Sequence, residues 1–364
     1  MKERDSGIEL LRVIAMLMVI LIHGFWYGNF HPGFVSSGEV YYEFLDIIRL
    51  SFRPAVNIFI LITGYFMARS KFDLKKSFTR AWDTYSRVLF YSVILTVIFL
   101  ILGPEYCIPA RSAHSMEIKE IILKGIFPLS SQTWYYLTNY ILLCIFSPYI
   151  NIVLQNLNKK DYKTLLIVAT LFMSIWMSLI KIYPFSEWFS IFTFSDIIDG
   201  KSIFSFIYIY IIGGYIGMHV QHNNEPKFTY LYASFFCLMI NYLLSSILSE
   251  DVGYQAVSMN YSNPFVILQG VFMLLFFKDL HFHSRIINIL ASTTLGVYAI
   301  HEFTFVRSFL WEKLFDFSKT QERNLLFLIL ISLLIFIVLA IIDLAVQKLF
   351  KSVKSVIPKI KNNF

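Results

Sequence analysis

The chain has 364 residues, of which 57% are hydrophobic, 18% aromatic and only 15% charged. This composition excludes an ordinary soluble globular protein and indicates a membrane protein, because about 20 apolar residues cross the hydrocarbon as one helix. The net charge of +7 does not call for nucleic acid as a partner. Basic loops that face the cytoplasm and bind anionic lipid headgroups account for it.

Apolar runs recur along the chain and predict an all-α polytopic bundle of about ten membrane spans. The predicted spans are 8–27, 45–67, 84–103, 134–155, 164–183, 203–221, 228–249, 264–278, 287–310 and 325–347. If both termini are cytoplasmic, more than half of the 31 basic residues lie in cytoplasmic loops, as the positive-inside rule favours. We therefore expect a single transmembrane domain over 1–350 and a basic cytoplasmic tail over 351–364.

Motifs for metal binding and for the common soluble enzymes are not evident. The three cysteines, Cys107, Cys144 and Cys237, are scattered and do not indicate a disulfide framework or a redox motif. The pairs His219-x-x-His222 and His281-x-His283 lack acidic or cysteine companions at ligand spacing. The sequence therefore predicts no metal site.

The first apolar run carries Arg12 and, eleven residues later, His23. This spacing places them about 16 Å apart along a helix and close to the same face. Ionisable groups at membrane depth usually line a cavity or a pathway. The alternative is that Arg12 reaches the lipid headgroups while His23 bonds to the backbone of a neighbouring helix.

An arginine, ten intervening residues and a histidine in the first membrane helix resemble the signature of the acyltransferase-3 family. These integral membrane enzymes acylate cell-surface polysaccharides and other extracytoplasmic acceptors. Three later segments resemble the family in the same order: "AVNIFILITGYFMARS" through Thr63, Gly64 and Tyr65; "TWYYLTNYILLCIFSPYIN" through Trp134, Tyr135, Leu137, Ser147 and Pro148; and "LGVYAIHEF" through Gly296, Tyr298 and His301. The chain departs from the family at Asn57, at Gln132 and Thr133, and at Glu302.

The resemblance implies that an acyl group, expected to be acetyl from cytoplasmic acetyl-CoA, moves to a sugar hydroxyl of a capsule, O-antigen or exopolysaccharide. Imidazole exchanges protons near neutral pH, so His23 is the first candidate for catalysis, with Arg12 and His301. His23 acts either as general base on the hydroxyl or as a nucleophile that carries the acyl group. His301 has a site role or forms an interhelical hydrogen bond.

Two groups of residues are candidates for binding the substrates. Guanidinium groups suit phosphates, so Arg12, Arg69, Arg80 and Arg87 are expected to contact the phosphates of the donor, although cytoplasmic loops are basic in any case. Trp134, Tyr135, Asn139, Asn57 and Glu302 are expected to line the acceptor site, although aromatic residues also gather at membrane interfaces.

Two other classes of function are open at this point, and one is an assembly or sensory membrane protein without chemistry, which would not need His23. A transporter or flippase of a lipid-linked saccharide, without acyl-transfer chemistry, would also have many helices and buried charges. It is expected to show repeated halves or helices broken by Gly or Pro, and neither is clear in the sequence. The composition is typical of a low-GC bacterium, so we expect a multi-pass protein of the bacterial plasma membrane. The partner is a surface polysaccharide or its lipid-linked precursor, and the sugar, the hydroxyl and the oligomeric state stay open.

Overall fold

The computed structural model describes residues 6–30, 40–103, 106, 117–130, 134–183, 185–188, 199–248, 257–317 and 324–361. Throughout these ranges the ordered elements are helices, and no strand occurs in them. The helices are α1 (Ser6–Trp26), α2 (Val40–Ser51), α3 (Ala55–Met67), α4 (Leu74–Leu102), α5 (Ile118–Ile126), α6 (Tyr135–Asn156), α7 (Lys159–Leu179), α8 (Phe185–Trp188), α9 (Ile203–His219), α10 (Phe228–Ile247), α11 (Pro264–Phe277), α12 (Arg285–His301), α13 (Thr304–Leu314) and α14 (Leu325–Lys361).

Six of these helices, α1, α4, α6, α7, α10 and α14, are long and apolar enough to cross a membrane. The pair α12 and α13 makes a seventh span if it is counted as one, although it bends by 83°. Two further apolar helices, α9 and α11, are shorter than a full span. The all-helical membrane fold is thus confirmed, while the number of about ten spans and the cytoplasmic placement of both termini stay predictions.

Two of the predicted spans are not continuous helices. The run 45–67 divides into α2 and α3, with Pro54 as the residue that precedes α3. Proline has no N–H to continue a helical ladder, but its fixed φ suits the start of a helix. The run 287–310 divides between α12 and α13, after His301. Charged residues, Arg53 and Glu302, therefore lie at breaks in the helices and not within them.

Helix α1 lies at the centre of the bundle. It packs against α3, α11, α12 and α14, and two thirds of its apolar window is buried inside the protein. Because α1 is surrounded by these helices, most of its side chains face the protein interior and not lipid. The ionisable side chains of α1 line cavities, Glu9 and Arg12 near its start and His23 in its last turn.

Helices α3 and α9 approach each other closely through glycine. A Cβ atom on Gly64 would lie 2.2 Å from the carbonyl oxygen of Tyr210, and one on Gly213 would lie 2.2 Å from that of Leu61. Small residues let the backbones of membrane helices approach closely. Because lipid is itself apolar, such helices are held together mainly by van der Waals contacts and not by the hydrophobic effect. The glycine of the Thr63-Gly64-Tyr65 segment is therefore required by packing.

Candidate active site

Three side chains from two helices meet in the interior of the bundle. His23, in the last turn of α1, has its Nδ1 3.1 Å from Nε2 of His301, the last residue of α12. The same Nδ1 is 3.1 Å from Oε2 of Glu302, the residue that follows α12. Glu302 keeps a helical backbone, since its N–H donates to the carbonyl oxygen of Tyr298 at 3.0 Å, so it lies at the very end of α12 where the chain turns into α13.

The hydrogen bonds of His301 fix where the protons of the two imidazoles lie. Nδ1 of His301 is 2.9 Å from the carbonyl oxygen of Val297, which only accepts, so this nitrogen carries the proton. In the neutral ring Nε2 of His301 is then an acceptor, and Nδ1–H of His23 donates to it. His23 keeps its lone pair on Nε2, the atom on which a proton or an acyl group can be accepted.

The other carboxylate oxygen of Glu302, Oε1, forms an ion pair with Arg307. Arg307, on α13, donates from Nη1 to Oε1 of Glu302 at 2.5 Å, and its guanidinium carbon lies 4.1 Å from the centre of the Tyr27 ring. Only 9% of the Glu302 side chain and 14% of the Arg307 side chain is exposed. A buried ion pair that holds one oxygen fixes the carboxylate, so the second oxygen stays beside His23.

His23 opens onto a cavity of about 640 Å³, here named the His23 cavity. Its lining combines aromatic and charged side chains, among them Trp26, Tyr135, Tyr261, Arg53, Lys181, Lys201, Asp199 and Glu302. Of the His23 side chain 17% is exposed. Aromatic faces with several polar groups around them are suited to a polar ligand that has flat apolar surfaces, such as a sugar.

A second cavity, of about 570 Å³, lies at the other end of α1 and is named the Arg12 cavity. Arg12 lines it together with Glu9, Arg80, His222 and Lys278. Nε of Arg12 lies 3.5 Å from the Glu9 carboxylate, one turn earlier. The planar guanidinium of Arg12 carries five N–H donors, and a single carboxylate cannot accept from all of them.

A smaller cavity of about 130 Å³, here named the connecting cavity, lies between the two. It shares Arg12, Thr63 and Tyr140 with the Arg12 cavity, and Val19, Val56 and Tyr298 with the His23 cavity. The predicted alignment of Arg12 and His23 along one face of α1 therefore corresponds to a row of three cavities. The lining of this connecting cavity is mainly apolar.

The other predicted donor-binding arginines lie in different places. Arg80 lines the Arg12 cavity and also a further cavity of about 590 Å³, which Arg87 lines as well and which shares Thr84 and Leu295 with the connecting cavity. Arg87 is paired with Asp343 of α14 at 2.6 Å. Arg69 lies with its guanidinium carbon 5.9 Å from the centre of the Tyr65 ring. Phosphate binding by these three residues stays a prediction, with Arg80 the one that lies beside Arg12.

The predicted acceptor-binding residues divide in the same way. Tyr135 lines the His23 cavity, whereas Trp134 is almost fully buried and packs against Phe303 with ring centres 5.8 Å apart. Asn57 is buried and donates to the carbonyl oxygen of Tyr261 at 2.9 Å. Asn139 donates to the carbonyl oxygen of Lys201 at 2.7 Å. Each amide thus positions a residue that lines the cavity.

Two groups of side chains in the described part of the chain have three potential metal-ligand atoms within 4.8 Å of one another. One is His23, His301 and Glu302; the other is His222, Asp279 and His281. The sequence argument overlooked Asp279 as an acidic companion of these histidines. Nζ of Lys278, however, lies 2.6 Å from Oδ1 of Asp279, and its positive charge opposes a cation there. The absence of a metal stays a prediction.

Sequence reasoning missed two arginines of the site. Arg307 lies within the predicted span 287–310, and Arg53 lies within the predicted span 45–67 next to Pro54. Charged residues inside apolar runs are rare and usually functional, so this signal was present. What the sequence could not show is that both runs break at these positions and turn the charges inward.

A family model described as an acyltransferase domain matches residues 5–345. This match covers nearly the whole chain, so the chain belongs to the acyltransferase-3 family, as the four resembling segments predicted. It is a multi-pass membrane acyltransferase. Family membership favours acyl transfer over the alternative of a transporter without that chemistry.

An amino-acid racemase from Enterococcus faecalis is 42% identical to the chain over 69 residues. The aligned residues are 18% of this chain and only 8% of the racemase. The chain thus matches a small part of that protein. No solved structure matches the chain.

Proposed function

We propose that the protein moves an acetyl group from cytoplasmic acetyl-CoA to a sugar hydroxyl of a surface polysaccharide, or of its lipid-linked precursor, at a bacterial plasma membrane. The observation that carries the proposal is the row of three cavities along α1, with Arg12 at one end and His23 at the other. Such a row lets a donor enter from one side of the membrane and an acceptor from the other.

The sizes of the cavities suit the two parts of coenzyme A. The nucleotide part is bulky and polyanionic, and the Arg12 cavity offers about 570 Å³ with Arg12, Arg80 and Lys278 in its lining. The pantetheine arm is narrow and uncharged, which fits the connecting cavity of about 130 Å³ and its mainly apolar lining. The nucleotide would stay beside the arginines while the thioester reaches towards His23.

The chemistry at His23 follows from its free lone pair. The acceptor hydroxyl oxygen attacks the thioester carbonyl carbon while Nε2 of His23 takes the hydroxyl proton. The tetrahedral intermediate then breaks its C–S bond, and the proton passes from His23 to the departing thiolate. The Glu302 carboxylate, 3.1 Å from Nδ1, stabilises the imidazolium that forms between these steps. An acyl-histidine route uses the same lone pair, with Nε2 attacking first and the hydroxyl second.

The test uses membrane vesicles in which the full-length protein is inserted and labelled acetyl-CoA is supplied on the side of the Arg12 cavity. With the label in the acetyl group, we expect it to appear on saccharide as an ester that mild alkali removes. With the label in the adenine, the saccharide should stay unlabelled. If saccharide crosses the membrane without gaining acetyl label, the proposal is contradicted and the transporter alternative is supported. Transporters commonly have broken helices at their binding sites, as this protein has beside the His23 cavity.

Arg12 provides a separate test of the donor end. Arg12→Gln removes the guanidinium between the Arg12 cavity and the connecting cavity, so the KM for acetyl-CoA should rise by about tenfold, as expected when a charged hydrogen bond is lost. Arg12→Lys should recover part of the loss, because it keeps the charge without the bidentate geometry. The exposed Arg285, replaced by Gln, is the matched control and should behave as the native protein. An unchanged KM in Arg12→Gln would show that the donor enters elsewhere.

A further inference from the structure

The His23 cavity carries more positive charge than acyl transfer needs. Among its described lining residues are four cations, Arg49, Arg53, Lys181 and Lys201, and two acids, Asp199 and Glu302. Both acids already have partners, because Asp199 pairs with Lys181 and Glu302 pairs with Arg307. Arg49 is paired with Asp46 at 3.0 Å. Arg53 and Lys201 are left, and neither has a carboxylate partner in the described part of the chain.

These two cations stand at the ends of a pair of tyrosines. The guanidinium carbon of Arg53 lies 4.1 Å from the ring centre of Tyr261, and Nζ of Lys201 lies 5.8 Å from that of Tyr135. The two rings are 6.3 Å apart between centres. Arg53, Tyr261, Tyr135 and Lys201 therefore form one row along the wall of the cavity that contains His23, here named the Arg53–Lys201 row.

The row is held in place by its neighbours. Arg53 donates from Nε to the carbonyl oxygen of Met259 and from Nη1 to the Tyr261 hydroxyl at 3.2 Å. The buried amide of Asn57 holds the backbone of Tyr261, and the amide of Asn139 holds that of Lys201. Side chains fixed in this way lose little freedom when a ligand binds, so they are suited to recognition.

Cations that line a cavity of a membrane protein without a carboxylate partner usually mark a substrate or ion pathway. We infer that the acceptor is an anionic saccharide, in which a carboxylate or phosphodiester group binds between Arg53 and Lys201 while a sugar ring lies on the two tyrosines. This inference rests on the proposed function, since it names the acceptor class of that site. A neutral acceptor would displace water from the two half-buried cations without supplying a counter-charge.

The experiment measures binding to the purified full-length protein, with no donor present. The probes are two matched pairs: trigalacturonate and its methyl ester for the carboxylate, and a galactosyl methyl phosphodiester and methyl galactoside for the phosphodiester. We expect one charged probe to bind at least about tenfold more tightly than its neutral partner, the size expected for a charge-assisted hydrogen bond. The pair that shows the difference identifies the anionic group.

Two variants test the residues. Arg53→Gln and Lys201→Gln should each remove most of this preference for the charged probe, while Lys227→Gln, at an exposed position remote from the cavity, should keep it. The inference is overturned if the charged and neutral probes bind equally well or if none of them binds. It is also overturned if the preference for the charged probe survives in both Arg53→Gln and Lys201→Gln. A preference for the charged probe in a protein that fails the acetyl-label test would leave the anion site standing and overturn the proposed function alone.

Discussion

Replacing His23 with alanine should eliminate O-acetylation of the acceptor, with a fall in the transfer rate of about a thousandfold, the middle of the range for a lost general base. His23→Gln should be equally inactive, because an amide fills similar space but cannot accept a proton. The measurements are the acetyl-label assay in vesicles and the O-acetyl signals in the NMR spectrum of the surface polysaccharide from complemented deletion cells. Both routes to transfer, general base and acyl-histidine, predict this loss.

The matched control is His283→Ala, since His283 is exposed before α12 and outside the His23 cavity. It should support acetylation like the native protein when both are present in the membrane at equal levels. If His23→Ala restores acetylation, His23 has a structural role and the site must be sought elsewhere. If neither the native protein nor the variant changes the polysaccharide, the acceptor is a different molecule.

Replacing Gly296 with alanine should destabilise the fold severely. A Cβ atom at this position would lie 1.9 Å from Oδ1 of Asp343, which is fully buried on α14. That oxygen accepts from Arg87 at 2.6 Å and from the Tyr91 hydroxyl at 2.5 Å, and Oδ2 accepts from Gln347 at 2.6 Å. The methyl group therefore displaces a carboxylate that joins α14 to α4.

We expect the free energy of unfolding to fall by about 3 kcal/mol or more, since overpacking and disruption of a buried ion pair both contribute. The measurement is thermal unfolding in detergent, with the yield of folded protein alongside. Gly270→Ala is the matched control, because its nearest neighbour would be the flexible end of Leu61 at 3.3 Å, and alanine favours the helix. Equal stability of the two variants would contradict the assignment of Gly296 to packing against Asp343.

The sequence indicated Arg12, His23, His301 and Glu302 as site residues, but it could not show how His301 and Glu302 meet His23, and Arg307 was not among the predicted residues. Arg12 and His23 lie on one regular helix, so their spacing alone predicts that both border the same internal space. His301, Glu302 and Arg307 straddle a break, and helical periodicity no longer relates side chains once the chain bends by 83°. Their meeting with His23 depends on contacts between helices distant in sequence.

The acceptor side shows the same limit. Tyr135 was predicted from its chemistry and does line the cavity, but the roles of Asn57 and Asn139 are indirect. An amide in an apolar run indicates a buried hydrogen bond, and the sequence does not say whether its partner is a ligand or a carbonyl oxygen of the protein. Arg53 lies within the predicted span 45–67, and the sequence did not show that this run divides there into α2 and α3.

The narrowness of the connecting cavity has a consequence for the cell that houses the protein. The cavities on either side are each more than four times larger, and a wide passage between them would discharge the ion gradients on which a plasma membrane depends. Apolar constrictions can close a pore to ions by losing their water. Under the proposed function, an arm of coenzyme A threaded through the connecting cavity would itself close the gap to ions during turnover.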